Sequence, residues 1–211
     1  MRTIMPRPAP WAPILLFALL AAFFVGPVMA IQAPDDLVAK TTDEITSALR
    51  AEQDKIKANP KRLYEIVDEV VLPHFDFERM SQWALGKHWR TAKKNERAQF
   101  IQEFRILLVR TYAKALNDNY DQKIDMLPVR MRKEGKEATV RTEVQQAGGF
   151  PIPIDYKMYI KGDAWKVYDV SVDAISLVAN YRTSFSKEIR QDGLPKLIAR
   201  LADRNKQAKD E

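Results

Sequence analysis

The sequence predicts an α+β domain in which a curved four-stranded antiparallel sheet is covered on one face by a layer of helices. Three observations lead there. Apolar residues recur at helical spacing up to about residue 117, four alternating runs joined by short turns fill residues 123–172, and helical spacing returns from residue 177. Helices and strands grouped in blocks, instead of alternating, build an antiparallel sheet with helices to one side.

Residues 1–30 stand apart. Arg2 and Arg7 precede an uncharged apolar run, Trp11 to Val25, and Val28 and Ala30 occupy the positions that a signal peptidase reads. This is the three-part pattern of a cleavable secretory signal. The expected mature chain is residues 31–211, exported to the periplasm, with no later apolar stretch long enough to span a bilayer.

In the mature chain, Asp35 or Asp36 is expected to cap a first helix with Leu37, Val38, Thr41, Ile45, Leu49 and Ile56 on one stripe. Asn59-Pro60 breaks it. Pro60 starts a second helix, which buries Leu63, Ile66, Val67, Val70 and Val71 and ends before Pro73. A short helix over Phe77–Leu85 stops at Gly86. The longest helix runs from about Lys94 to Asn117, its stripe made by Phe100, Ile101, Phe104, Leu107, Leu108, Thr111, Tyr112, Ala115 and Leu116. Four strands follow, turned at Glu134-Gly135, Gly148-Gly149 and Gly162-Asp163, so they form a meander. In the third strand Ile152, Ile154, Tyr156, Met158 and Ile160 share one parity. Leu177, Tyr181, Phe185 and Ile189 make the next helical stripe, and Leu194, Leu197, Ile198 and Leu201 the last. The domain is expected to cover residues 31–202, with 203–211 a polar tail that frays. The apolar strand face and the Phe100–Leu116 stripe are expected to meet across the core.

Composition excludes several functions. The absence of cysteine removes disulfides, thiolate nucleophiles and thiolate metal sites. The net charge is +6, of which Arg2 and Arg7 supply two, and the remaining charges of both signs are interleaved, which speaks against nucleic acid as a partner. There is no G-x-S-x-G, no H-E-x-x-H and no glycine-rich phosphate loop. His74 and His88 have no nucleophile or orienting acid beside them in sequence. Asp169, in "WKVYDV", is the carboxylate most suited to burial. Arg110 and Arg182 are its candidate partners in a structural ion pair; a general acid or base is the functional alternative. Aromatics are plentiful on the apolar stripes, which fits either a filled core or the wall of a cavity under a cupped sheet.

The stretch "VLPHFDFERMSQWALGKHWRTAKKNERAQFIQEFRILLVRTYAKAL" resembles the MlaC family, the toluene-tolerance auxiliary proteins. The resemblance rests on Pro73-x-Phe75-Asp76-Phe77, Met80, Leu85-Gly86, Trp89-Arg90, Phe100, Phe104 and Tyr112-Ala113. A second block, Tyr156, Trp165 to Val170, Ser176-Leu177-Val178 and Asn180-Tyr181-Arg182-x-x-Phe185, follows in the family's order. The resemblance implies an NTF2-like cupped cavity, no enzymatic activity and no cofactor. Its ligand is a phospholipid held by its acyl chains in an apolar cavity. Its implied partners are an inner-membrane ABC transporter complex with MCE domains and an outer-membrane lipoprotein–porin complex, between which the carrier maintains outer-membrane lipid asymmetry. A soluble carrier needs no oligomer, so a monomer is expected. A hopanoid-associated branch of the family makes another lipid an alternative.

Stripe and parity give the expected wall: Phe100, Phe104, Leu108 and Tyr112 from the long helix, and Val144, Ile154, Tyr156, Met158 and Ile160 from the sheet. Trp165 and Val170 lie beside them, and Leu177, Tyr181 and Phe185 close one end. Two readings compete: an exported enzyme of the same fold using Asp169 with Tyr156 or Tyr168, and an interaction module with a filled core.

Overall fold

Among residues 31–146 and 148–207, which the computed structural model describes, the chain begins with α1 (Pro34–Ala58), α2 (Lys61–Val70), a 3-10 turn (Leu72–His74), α3 (Phe77–Leu85), α4 (Lys87–Thr91) and α5 (Lys94–Asp118). It continues through β1 (Ile124–Arg132), β2 (Glu137–Val144), β3 (Ile152–Lys161), β4 (Ala164–Val172), β5 (Ile175–Ser176), α6 (Leu177–Asp192) and α7 (Leu194–Gln207). The expected leader, residues 1–30, lies outside the described residues, as do the last four of the expected tail. No described helix is long and apolar enough to cross a membrane.

The strands form one antiparallel sheet in the order β1-β2-β3-β4-β5. The expected meander gains a fifth, two-residue strand, too short for any periodicity to announce. Two irregularities bend the sheet. One falls in β1 between Leu127 and Arg130, around the Pro128 that cannot donate to the ladder. The other falls in β4: Lys157 faces Asp169 while Met158 faces Val167, so Tyr168 is the extra residue of a bulge. Beside it the chain leaving the 3-10 turn joins the edge of β4. Phe75 bridges Val167, and the Asp76 N–H donates to the Val167 carbonyl at 2.9 Å.

Helix starts follow their chemistry with one correction. Asp35 and Asp36 lie in the first turn of α1, after Ala33 at the N-cap, so they act by charge at the positive end of the helix and not by capping. Asp76 and Ser176 do cap α3 and α6, accepting the backbone N–H of Arg79 at 3.0 Å and of Ala179 at 3.1 Å. The expected polar tail is also shorter than the sequence indicated. Helix α7 runs to Gln207, and buried Asn205 donates to the Glu103 carbonyl at 3.0 Å and to the Glu103 carboxylate at 2.7 Å. A side-chain amide paid back by a distant helix leaves no trace in periodicity.

Gly86 ends α3 with φ +54° and ψ −122°, and a Cβ there would stand 2.8 Å from the Arg182 Nε of α6. The arginine tip can swing aside, but the backbone angle favours glycine alone. Gly86→Ala is expected to cost about 1–3 kcal/mol in urea unfolding. The penalty should persist in an Arg182→Ala background; if it vanishes there, the contact and not the backbone sets it.

Candidate functional site

The ladder sorts the strands' apolar residues onto one face. Ile124, Val144 and Ile152 form one row across the sheet, followed by Met126, Thr142, Ile154 and Val172, and then by Val140, Tyr156 and Val170. Past the bulge, Ala138, Met158 and Val167 form the next row, and Ile160 faces Trp165. The bulge at Tyr168 is what puts odd-numbered Trp165 and Val167 on the same face as even-numbered Val170 and Val172.

This face is filled at one end only. Val140, Met158, Trp165 and Val167 are buried against Val38 of α1, with Phe75, Tyr156, Ile160 and Val170 half-buried around them. At the other end Ile124, Val144, Ile152, Ile154 and Val172 are half-buried. Ile160 and Trp165 also border an opening of about 430 Å³ with Pro34, Val129 and Met131.

The expected helical wall is placed differently. Phe100, Phe104, Leu108 and Phe185 are buried in a cluster built from α3, α4, α5, α6 and α7. Their rings fill it by edge and stacking contacts: Phe100 to Phe185 at 5.6 Å, Phe104 to Tyr181 at 5.3 Å, Phe100 to Phe104 at 5.5 Å. A second cluster joins α1, α2 and the Ala113 side of α5. Helix α5 packs on α2, α3 and α7, and Phe100, Phe104 and Leu108 of its stripe hold the helices to one another. Phe75 packs against both the helical cluster and the sheet cluster.

The fully buried apolar residues fall into three clusters, and the division between the sheet cluster and the helical ones is bridged by Phe75 and by α1. Half-buried apolar groups border the division. From the helices these include Tyr112, Leu177 and Tyr181, which the sequence singled out, and Val71, Leu72, Val109 and Leu116, which it did not. Parity alone would have added Ile124, Met126, Ile152 and Val172 on the sheet; placing Val71 and Leu72 needs the tertiary fold. Burial pushes the Tyr156 hydroxyl up, yet its side chain keeps accessible surface. Burial and the neighbouring Tyr181 hydroxyl push Tyr112 up to about 12 while it too is only half-buried.

Polar groups stitch the other face to the helices. Asp169 accepts from Lys157 at 2.9 Å, from Ser176 Oγ at 2.7 Å and from the Val178 N–H at 3.3 Å. Its partners are therefore not Arg110 or Arg182. The residue faces away from Tyr156, and its oxygens are engaged in tying the start of α6 to β4. Asp76 accepts from Lys161 at 2.8 Å and from the Tyr159 hydroxyl, while the Arg79 guanidinium lies 3.7 Å over the Tyr159 ring. Burial works to raise the Asp76 carboxyl, but the bonds from Lys161, Tyr159 and the Arg79 amide together hold it below the usual carboxylate range. Among the described residues no cluster of three or more acidic or imidazole side chains is arranged to hold a metal ion.

Residues 39–203 match the MlaC protein family model. The chain belongs to the MlaC family. It is 27% identical over 194 residues, 90% of this chain and 91% of the relative, to the intermembrane phospholipid transport system binding protein MlaC of Haemophilus influenzae. To the toluene tolerance protein ttg2D of Pseudomonas putida it is 30% identical over 179 residues, 84% and 82% of the two chains. Among solved structures it resembles the phospholipid-binding protein of Ralstonia solanacearum in complex with a phospholipid, with TM-score 0.77, 28% identity, and coverage of 84% of this chain and 99% of that one. The resemblance in motifs and the α+β architecture expected from it both hold.

Proposed function

We propose that this member of the MlaC family is a periplasmic phospholipid carrier rather than an enzyme, and that it holds acyl chains in the division between the sheet and the helices. The observation that carries this reading is the one-sided filling of the sheet's apolar face: Val144 and Ile154 are half-buried beyond the sheet cluster, and Tyr156 and Val170 stand half-buried at the edge of its filled part. The names of its relatives, one of them seen with a phospholipid, support the same chemistry.

The energetics are adequate. Each methylene moved from water into this space stabilises the complex by about 0.8 kcal/mol, so two acyl chains supply a large gross driving force with no phosphate-binding motif. The lining assigned here is Val144, Ile154, Tyr156 and Val170 with the Ile160 and Trp165 end of the sheet, closed by Tyr112, Leu177 and Tyr181. Phe100, Phe104, Leu108 and Phe185 support that wall from behind, and Met158 forms its floor. The carrier is exported through its leader and acts as a monomer. It moves lipid between the outer-membrane lipoprotein–porin complex and the inner-membrane transporter with MCE domains, and so maintains outer-membrane asymmetry.

Mass spectrometry of organic extracts from the purified mature protein, with native mass for stoichiometry, tests the reading. The expected result is diacyl phospholipid at about one per chain, since one domain of this size encloses one such ligand. A hopanoid in its place would keep the site and change the cargo. A folded protein carrying no lipid would refute the carrier.

A further inference from the structure

The end of the sheet where its apolar face is left unfilled is also where apolar side chains project into solvent. Antiparallel pairing brings the start of β1, the β2–β3 loop and the β4–β5 turn together there, with Ile124 against Val144, Val144 against Ile152, and Val172 against Ile175. On these segments Phe150 is 93% exposed, Ile175 62% and Met126 39%. A fully exposed phenylalanine at the tip of a Gly-Gly-Phe-Pro loop costs solubility and gives the isolated domain nothing in return. Apolar side chains gathered in this way mark an interaction surface.

The charges around the patch indicate what it meets. The chain as a whole is basic. This end carries Asp121, Glu143 and Asp173, while Lys123 and Asp125 pair at 2.6 Å and cancel one another. Lys123 and Gln145 both hold the Asp125 carboxyl below its usual range. An anionic bilayer surface would repel such a collar. A protein whose apolar pocket is rimmed by lysine and arginine would attract it.

We infer that the Phe150 loop, with Ile175 and Met126, is the docking surface through which this domain engages a protein partner bearing an apolar pocket with a basic rim, at the same end through which lipid passes. The location of the patch deepens the carrier reading and rests on it. Phe150 is the anchor, the acidic collar sets orientation and encounter rate, and the unfilled row of Ile124, Val144 and Ile152 stands directly behind the contact. Docking there aligns the carrier's opening with the partner's own lipid path, so acyl chains need not cross water.

Flotation of the full mature chain tests this, using phosphatidylglycerol vesicles, phosphatidylcholine vesicles, and phosphatidylcholine vesicles carrying either the inner-membrane MCE-domain complex or the outer-membrane lipoprotein–porin complex. Phe150→Ser is expected to weaken binding to vesicles carrying at least one complex by about tenfold or more, as loss of an aromatic anchor does. Asp173→Lys should weaken it further, and added salt should weaken the wild type. Phe150→Ser sits on an exposed loop tip, so its folding and co-purified lipid should match the wild type. Equal loss of binding to protein-free phosphatidylglycerol vesicles would overturn the inference in favour of a bilayer contact. Unchanged binding to both complexes would overturn it outright. Flotation does not require bound lipid, so a wild type that carries none would refute the carrier while leaving the docking result readable.

Discussion

Replacing Ile154 with lysine is expected to reduce co-purified phospholipid to about a tenth of the wild-type level or less. Ile154 lies between Thr142 and Val172 on the unfilled part of the sheet face and has no acidic neighbour on that face. With the cavity occupied by hydrocarbon, an ammonium there has neither water nor a counter-ion, and the cost is several kcal/mol. Each 1.4 kcal/mol is a factor of ten in affinity. In the empty protein the same lysine reaches solvent, because the position is only half-buried, so far-UV circular dichroism should show an intact fold. Ile154→Val, which keeps the surface apolar, should retain most of the lipid. Full lipid content in the lysine variant would mean that the chains bind elsewhere.

Asp76→Ala is expected to be the most destabilising single change on the polar face, at about 2–4 kcal/mol in urea unfolding. One carboxylate there caps α3, bonds Lys161 and receives the Tyr159 hydroxyl. Its removal leaves a helix-terminal N–H and a phenol without partners. Lys161 is half-exposed and recovers water, which keeps the loss below that of a fully buried pair. Asp76→Asn, which keeps an acceptor for the cap and can turn its NH2 towards the phenol oxygen, should lose about half as much. The pH dependence follows from the lowered folded pKa. Above the unfolded value, near 3.8, the carboxylate is charged in both states and its full contribution is present. As the pH falls through that value towards the lower folded one, the unfolded chain takes up the proton first and stability declines. Wild-type urea midpoints should therefore fall between pH 5 and pH 3 more steeply than those of Asp76→Asn; equal slopes would remove Asp76 from the account.

Most of the architecture was legible because periodicity reports local geometry. The strand parity from Ile152 to Ile160 and the stripes of the long helices each follow from a single segment. What a segment packs against is a different quantity. The stripe from Phe100 to Leu116 is real, but a helix with neighbours on several sides spreads such a stripe among them, and α5 has α2, α3 and α7. Trp165 and Val170, which the sequence places beside that wall, share a face despite opposite parity; the extra residue at Tyr168 makes that possible, and nothing in "WKVYDV" announces it. Asp169 was recognised as a carboxylate that must be partnered. Its partners Lys157, Ser176 and the Val178 amide come from the neighbouring strand and the next helix, and polar pairing between strands has no period to read.

The three-part interior also bears on how the domain holds together. In most domains one continuous core makes loss of structure all-or-none. Here the helical clusters and the sheet cluster are joined at Phe75, along α1, which carries Val38 on the sheet and Ile45 and Leu49 among the helices, and by the polar stitches at Asp76 and Asp169. On the proposed function, the seam between them is the least filled part of the empty molecule, and local opening is expected to begin there. Hydrocarbon laid along that seam would complete the core there. On the proposed function, the cargo is a structural component of the vehicle, and delivering it would leave behind a looser molecule than the one that arrived.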